Sequence, residues 1–241
     1  MYNTRMSLNI FNNVSSQEKS SAIESIIKHS TPGQDFFLMV ILSVSMASFG
    51  VLLDSTVILI GSMLIAPVLY PTISLALALV TADDKLIFRS LVTLAKSVGF
   101  ALLAGFIIGI FFGSGEAGTN YTIDIIAGSK PSLLYAVVAA ISGLAASFAV
   151  IKPNLNETLP GVAISVSLVP PLATAGVAIA KFNWVAISNS LILFLVNIAG
   201  IVFSGMVVFS LFRLAGKKNI VSEVVKEEDK KIESEISHGD N

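Results

Sequence analysis

Two stretches of the chain carry the residue types from which polar chemistry in an apolar setting can be made. The first holds Ser62, Pro67, Tyr70, Pro71 and Thr72; the second holds Ser165, Ser167, Pro170, Pro171 and Thr174. Proline lacks an amide hydrogen and its ring clashes with the preceding turn, so an apolar helix running through these residues leaves carbonyls near Met63 and Pro67 without intrahelical partners. Hydrocarbon cannot replace those partners, so such a break is tolerated only where it is packed in protein or faces a water-filled cavity. The chemistry expected is coordination. Half-helix ends and freed carbonyls, helped by the hydroxyls of Ser62, Tyr70, Thr72, Ser165, Ser167 and Thr174, can hold a small solute or monovalent cation. Each hydroxyl also has a plainer use, bonding its own preceding turn or a neighbouring helix.

Fixed charge near these stretches is scarce. Asp54 borders an apolar run and Lys96 lies within one, and an intramembrane charge is by default a functional hypothesis. Asp54 is placed either to accept a proton or coupling cation at the outer mouth or to cap the helix that follows it with Ser55 and Thr56. Lys96 can balance an anionic group or snorkel to the headgroups. Asn197, deep in the last apolar run, is placed to bond across a helix interface or to touch a solute. Catalysis is not expected, because the chain has no nucleophile elbow, no Gly-Lys-Ser/Thr phosphate loop and no paired carboxylates on an apolar face. No cofactor is expected either. Cysteine is absent and the two histidines, His29 and His238, lie in the polar ends, which excludes thiolate or histidine metal sites within the membrane. A net charge of −1 gives no argument for nucleic acid.

The elements that must position these residues follow from composition. Of 241 residues 54% are hydrophobic and 13% charged, which makes this an integral membrane protein with the lipid bilayer as its first partner. Apolar runs near the roughly 20 residues needed to cross a ~30 Å core recur six times, at about residues 34–53, 55–82, 90–112, 131–151, 159–180 and 184–214. The prolines break the second and the fifth. Residues 1–33 form a short leader without a cleavable signal. In it, Ser15-Ser16-Gln17-Glu18 reads as a capping box opening a helix with Ala22, Ile23, Ile26 and Ile27 on one face. Residues 215–241 are dense in Lys, Glu and Asp and read as a mostly disordered tail. Stripes of small residues, Gly105, Gly109 and Gly113 in the third span and Ala139, Gly143 and Ser147 in the fourth, permit close helix packing. They exceed what six helices need among themselves, so a homo-oligomer is expected.

Basic residues set the orientation. With both termini inside, the inner side collects Arg5, Lys19, Lys28, Lys85, Arg89, Lys152, Arg213, Lys217 and Lys218, whereas the outer loops hold Lys130 and Lys181. The expected location is the plasma membrane of a bacterium or archaeon, the inner membrane where there are two.

The two halves also look like copies. Placing Ala66-Pro67 over Val169-Pro170 puts Ser62 over Ser165; after a gap of three residues, Asp83 falls over Asn183, Arg89 over Asn189, Ser90-Leu91 over Ser190-Leu191 and Ser97 over Asn197. Residues 34–113 and 131–214 are therefore expected to be two three-span units. Three is odd, so the copies insert in opposite senses, the inverted repeat of many secondary transporters. The expected fold is all-α, six transmembrane helices in a 3+3 inverted-topology repeat with helices 2 and 5 broken by proline.

Several motifs carry a resemblance: Gly50-Val51-Leu52-Leu53-Asp54-Ser55, the run from Ile60 to Pro71, Asp84 with Arg89-Ser90-Leu91, Leu159-Pro160-Gly161-Val162-Ala163, and Leu168-Val169-Pro170-Pro171-Leu172. In these the chain resembles the uncharacterised hydrophobic domain of bacteria and archaea catalogued as domain of unknown function 389. The resemblance implies a membrane location and supplies no substrate. The function expected is a small secondary transporter or permease for an ion or small polar solute, with its site at the paired broken helices. The alternatives are an oligomeric passive channel and a non-transporting scaffold whose tail recruits partners.

Overall fold

The structure, a computed structural model, describes residues 14–113, 133–152, 155 and 167–239. Helix α1, Ser16–His29, opens as expected: Ser15 Oγ accepts from the Glu18 amide at 3.1 Å and Glu18 Oε2 accepts from the Ser15 amide at 2.6 Å. Its stripe of Ala22, Ile23, Ile26 and Ile27 is buried. Helix α2, Gln34–Leu52, turns at Leu53 and Asp54 into α3, Thr56–Ile65, which bends by 51° into α4, Leu69–Thr81. Then come α5, Asp84–Phe112; α6, Leu133–Ile151; α7, Val169–Ala180; and α8, Trp184–Leu211. A 3-10 turn, Leu214–Lys217, leads to α9, Lys218–Gly239. Among the described residues there is no strand.

Helices α2, α5, α6 and α8 are long and apolar enough to cross a membrane, and the bent α3–α4 pair makes a fifth span if counted as one. The 19 residues of α2 reach about 28 Å, close to the core thickness. Helix α7, with 12 residues, is too short alone, and the first part of the expected fifth span, Ser165 included, lies outside the described residues.

The small-residue stripes are used up inside the chain. A Cβ on Gly105 would stand 3.0 Å from Gly176 Cα, and one on Gly109 would stand 2.7 Å from Ala180 Cβ, so α5 presses on α7. On the other side a Cβ on Gly143 would lie 2.6 Å from Ile201 Cα, one on Gly200 would lie 2.7 Å from Ala139 Cβ, and one on Gly205 would meet Ser147 Oγ at 3.0 Å, so α6 presses on α8. With these contacts made inside the chain, the stripes themselves are no argument for a second copy. Gly113 does not extend its stripe. It ends α5, its amide donating to the Gly109 carbonyl at 3.0 Å.

A spacing of about one hundred residues relates the two halves. Helices α4 and α7 begin at Leu69 and Val169, and α5 and α8 at Asp84 and Trp184. Ala82 and Phe182, just before the caps, both take left-handed backbone, with φ of 49° and 53°. The amides of Asp83 and Asn183 donate to Ala78 and Ala178 at 3.1 and 3.0 Å. Their side chains cap the next helices by accepting from Leu86 and Ala186 at 2.9 and 3.1 Å. Helices α2 and α6 are both 19 residues long, and buried Ser43, Ala47 and Ser48 answer to buried Ser142, Ala146 and Ser147. Packing follows suit, each short proline-led helix sitting on the long helix of the other half, α4 on α8 and α7 on α5. In this register Pro71 falls over Pro171 and not Pro67 over Pro170, with an offset of 100 from α4 onward and 99 between α2 and α6.

The tail also departs from expectation. Residues 218–239 form α9, which packs on α1 and buries Val221 and Val225. Ile220, Val221, Val224 and Val225 recur at helical spacing and need an apolar surface. The apolar stripe of α1 belongs to the same buried cluster.

Candidate functional site

The break between α3 and α4 is built from Ala66, Pro67 and Val68. Ala66 is extended, with φ −73° and ψ 123°, as the residue before a proline tends to be. Ending α3 there orphans its last carbonyls, and Ser43 Oγ donates to one of them, Ser62 O, at 2.8 Å. The Pro67 carbonyl, expected to be freed, accepts from the Tyr70 amide at 3.2 Å. Pro71 lies in the first turn of α4, and Pro170 and Pro171 lie in the first turn of α7. There a missing amide costs nothing, so these three prolines sit at helix starts; the segment before Ser167 lies outside the described residues.

A cavity of about 810 Å³ opens beside the break. Its apolar floor is Met39, Ile65 and Pro67; its rim carries Lys28 and Asp35, and α9 closes one side with Glu228 and Lys231. Those two pair at 2.5 Å, and the Glu228 carboxylate pushes the Lys231 ammonium above the usual lysine range. Next to the floor, Tyr70 stacks on His29 with ring centroids 4.7 Å apart. Among the described residues no side chain of α7 or α8 lines this cavity. The second proline cluster therefore faces a different wall of the bundle.

The hydroxyls divide into three groups. Ser62 donates to the Leu59 carbonyl at 2.6 Å and Thr72 to the Val68 carbonyl at 3.0 Å, the plain bond to the preceding turn. Ser167 takes left-handed backbone, with φ 48°, and its carbonyl accepts from Asn197 Nδ2 at 3.3 Å, which ties α8 to the start of α7. Thr174 is fully buried and its hydroxyl has no partner, as is true of Ser147 and Ser190. Asp54 is exposed in the α2–α3 turn, with φ 51°, and the cap of α3 comes from Ser55, at a long 3.5 Å. Lys96 is exposed on α5, away from the buried face of Thr93 and Ser97.

The sequence reading missed the cover over the α4–α5 hinge. Lys218 Nζ donates to the Ala82 carbonyl at 2.6 Å and Ser222 Oγ to Asp83 Oδ2 at 2.6 Å. About two turns on, Arg89 pairs with Asp229 at 3.0 Å and donates to Thr31 Oγ1. Asp83 is only 4% exposed, so its carboxylate would otherwise be buried with the cap bond alone. The apolar period of residues 220–225 was the signal that could have revealed α9.

Residues 63–203 match the family described as Domain of unknown function (DUF389). An uncharacterized protein of Methanocaldococcus jannaschii is 33% identical over 183 residues, covering 74% of this chain and 54% of that protein. The chain thus spans about half the length of this curated relative. No solved structure matches.

Proposed function

The chain belongs to the DUF389 family, and from that premise we propose that it is a small membrane permease, moving an ion or small polar solute by alternating exposure of a site between two inverted three-helix halves. The observation that carries this reading is the break at Ala66–Val68 opening directly onto a cavity of about 810 Å³. Broken backbone at membrane depth beside a polar space is where transporter sites are built. Support for the two-halves arrangement comes from the paired hinges at Asp83 and Asn183 and from the crosswise seating of α4 and α7. Transport, not catalysis, is the role.

The proposed orientation places α1 and α9 on the cytoplasmic side of the membrane of a bacterium or archaeon, with Lys85, Arg89, Lys217 and Lys218, and opens the mouth of the cavity to that side. A bilayer is then the partner of the exposed apolar faces of α5, α6 and α8. The scaffold alternative loses ground because the tail spends its apolar face on α1 and its polar groups on the α4–α5 hinge.

Reconstitution into vesicles tests the proposal. Dye-reported uptake under sodium, potassium or proton gradients is expected to saturate and to follow one gradient. Uptake that rises linearly and ignores gradients would mean a channel, and no uptake under any gradient would remove both. Pro67→Ala, which lets α3 run on past Ile65, is expected to cut uptake about tenfold or more, since roughly 1 Å of misplacement in a positioned site costs on the order of a hundredfold.

A further inference from the structure

The cavity beside the break joins two kinds of surface. Its floor is apolar, and the floor residues have exposed apolar neighbours: Met39 stands between Leu38 and Leu42 on α2, and Ile65 follows Leu64 on α3, all three leucines being about half exposed. Helix α2 is long and apolar enough to cross a membrane, so its exposed leucines meet acyl chains and the cavity floor continues the surface those chains touch. The rim is charged. Glu228 and Lys231 spend their charges on each other. Lys28 at the end of α1 and Asp35 at the start of α2 are exposed, and among the described residues neither has an ion-pair partner. One cation and one anion are thus left at the mouth of a space of about 810 Å³, within the size range of small-molecule sites.

We propose that this cavity seats a phospholipid of the adjoining leaflet whose headgroup carries both signs, its phosphate against Lys28, its primary ammonium against Asp35, and the upper part of a chain on Met39 and Ile65. A purely anionic headgroup would set a phosphate near the Asp35 carboxylate with nothing to offset the repulsion. The seat requires α2 to span the membrane and requires no transport. Gly33 lines the same cavity, begins α2 without a side-chain cap, and has room: a Cβ there would meet nothing within 4 Å. Its φ of −82° suits any residue.

Native mass spectrometry of the full, delipidated chain in detergent, titrated with phosphatidylethanolamine or phosphatidylglycerol, tests the seat. One phosphatidylethanolamine is expected to bind about fivefold or more tighter than phosphatidylglycerol. Lys28→Gln and Asp35→Asn should each weaken it about twofold to fivefold, the worth of an exposed ion pair. Lys226→Gln, exposed on α9 in a separate groove, should leave it unchanged. Asp35→Asn should also tighten phosphatidylglycerol, a gain that a badly folded variant would not show. Gly33→Asp sets a second carboxylate beside the phosphate while giving α2 a favoured cap. It should weaken phosphatidylethanolamine about twofold or more and keep or raise the lipid-free melting temperature, so that lost binding is not lost folding. Equal affinity for both lipids, unmoved by Lys28→Gln, Asp35→Asn and Gly33→Asp, would mean boundary lipid alone and overturn the seat. Tighter binding of phosphatidylglycerol by the unaltered chain would overturn the pairing of signs. Glycerophosphoethanolamine, the same headgroup without chains, is expected not to displace the lipid at equal concentration; displacement would give the cavity to a free polar solute instead. Vesicles without uptake would remove the permease and leave the seat, and a protein that binds neither lipid would remove the seat and leave the permease.

Discussion

The hinge at Ala82–Asp83 and the hinge at Phe182–Asn183 share backbone angles, cap bonds and the amide bond back to residue 78 or 178. Their surroundings are opposite. The first is covered by α9, with Lys218 on the Ala82 carbonyl, Ser222 on the Asp83 carboxylate and Asp229 on Arg89. At the second, Phe182 is 80% exposed and Trp184 is 74% exposed. The second hinge makes the same turn with Phe182 and Trp184 exposed, so the cover that α9 gives the first is not what turns the chain. The added contacts at the first hinge serve another purpose, holding a cover over the cavity. The second hinge offers an amphipathic ring at the end of a span, where a membrane interface can hold it.

The largest effect expected from breaking this contrast is the removal of α9. Ending the chain after Lys217 removes the helix that packs on α1 and takes Asp229 from Arg89 and Ser222 from Asp83. Hydrogen exchange should rise by two orders of magnitude or more at residues 82–90, since local opening loses roughly 3 kcal/mol or more of apolar burial, while residues 182–190 stay protected. Equal loosening of both hinges would mean that α9 stabilises the whole bundle and not one hinge.

Next in size is Arg89→Ala. It removes a side chain that is 10% exposed and bonded to both Thr31 and Asp229. Asp229 is half exposed, so the pair itself is screened and the expected loss of about 1–2 kcal/mol comes mainly from the buried end. Thermal unfolding in detergent at two salt concentrations checks this, with little salt dependence expected. Smaller again is the difference between Asp83→Ala and Asn183→Ala. Each loses a cap worth about 1 kcal/mol, and only the first also strands Ser222, so Asp83→Ala should cost the more.

The smallest effect is that of acid on α1. Hydrogen bonds from the Ser15 amide and hydroxyl group hold Glu18 below the usual carboxylate range. A group with a lowered folded-state pKa adds stability at neutral pH that is lost as pH falls through that value. Backbone signals at the start of α1 should therefore fray in acid, with those of the bare hinge unmoved.

Much of this was legible in the sequence, and the failures share a cause. Asp83 and Asn183, set against each other in the sequence, both cap helices, because a cap is set by local chemistry. The prolines were paired wrongly because a proline can either break a helix or begin one. Pro67 breaks and Pro71, Pro170 and Pro171 begin, and only the helix ends tell them apart. The tail was misjudged because charge density outweighed the spacing of Val221 and Val225, whose apolar partner lies some two hundred residues away in α1. The cavity was not legible at all, since it forms where residues 28–39, 65–67 and 228–232 converge.

That long reach has a consequence for how the molecule is made. Ser222 and Asp83 are separated by 139 positions, and at about 5–20 residues per second a ribosome needs roughly 7–28 s to travel between them. For that interval the nascent protein carries a finished helix start with a naked acid and an open vestibule beside it. A newborn bundle is therefore uncovered before it is shut, and anything small enough to enter can do so before the door is hung.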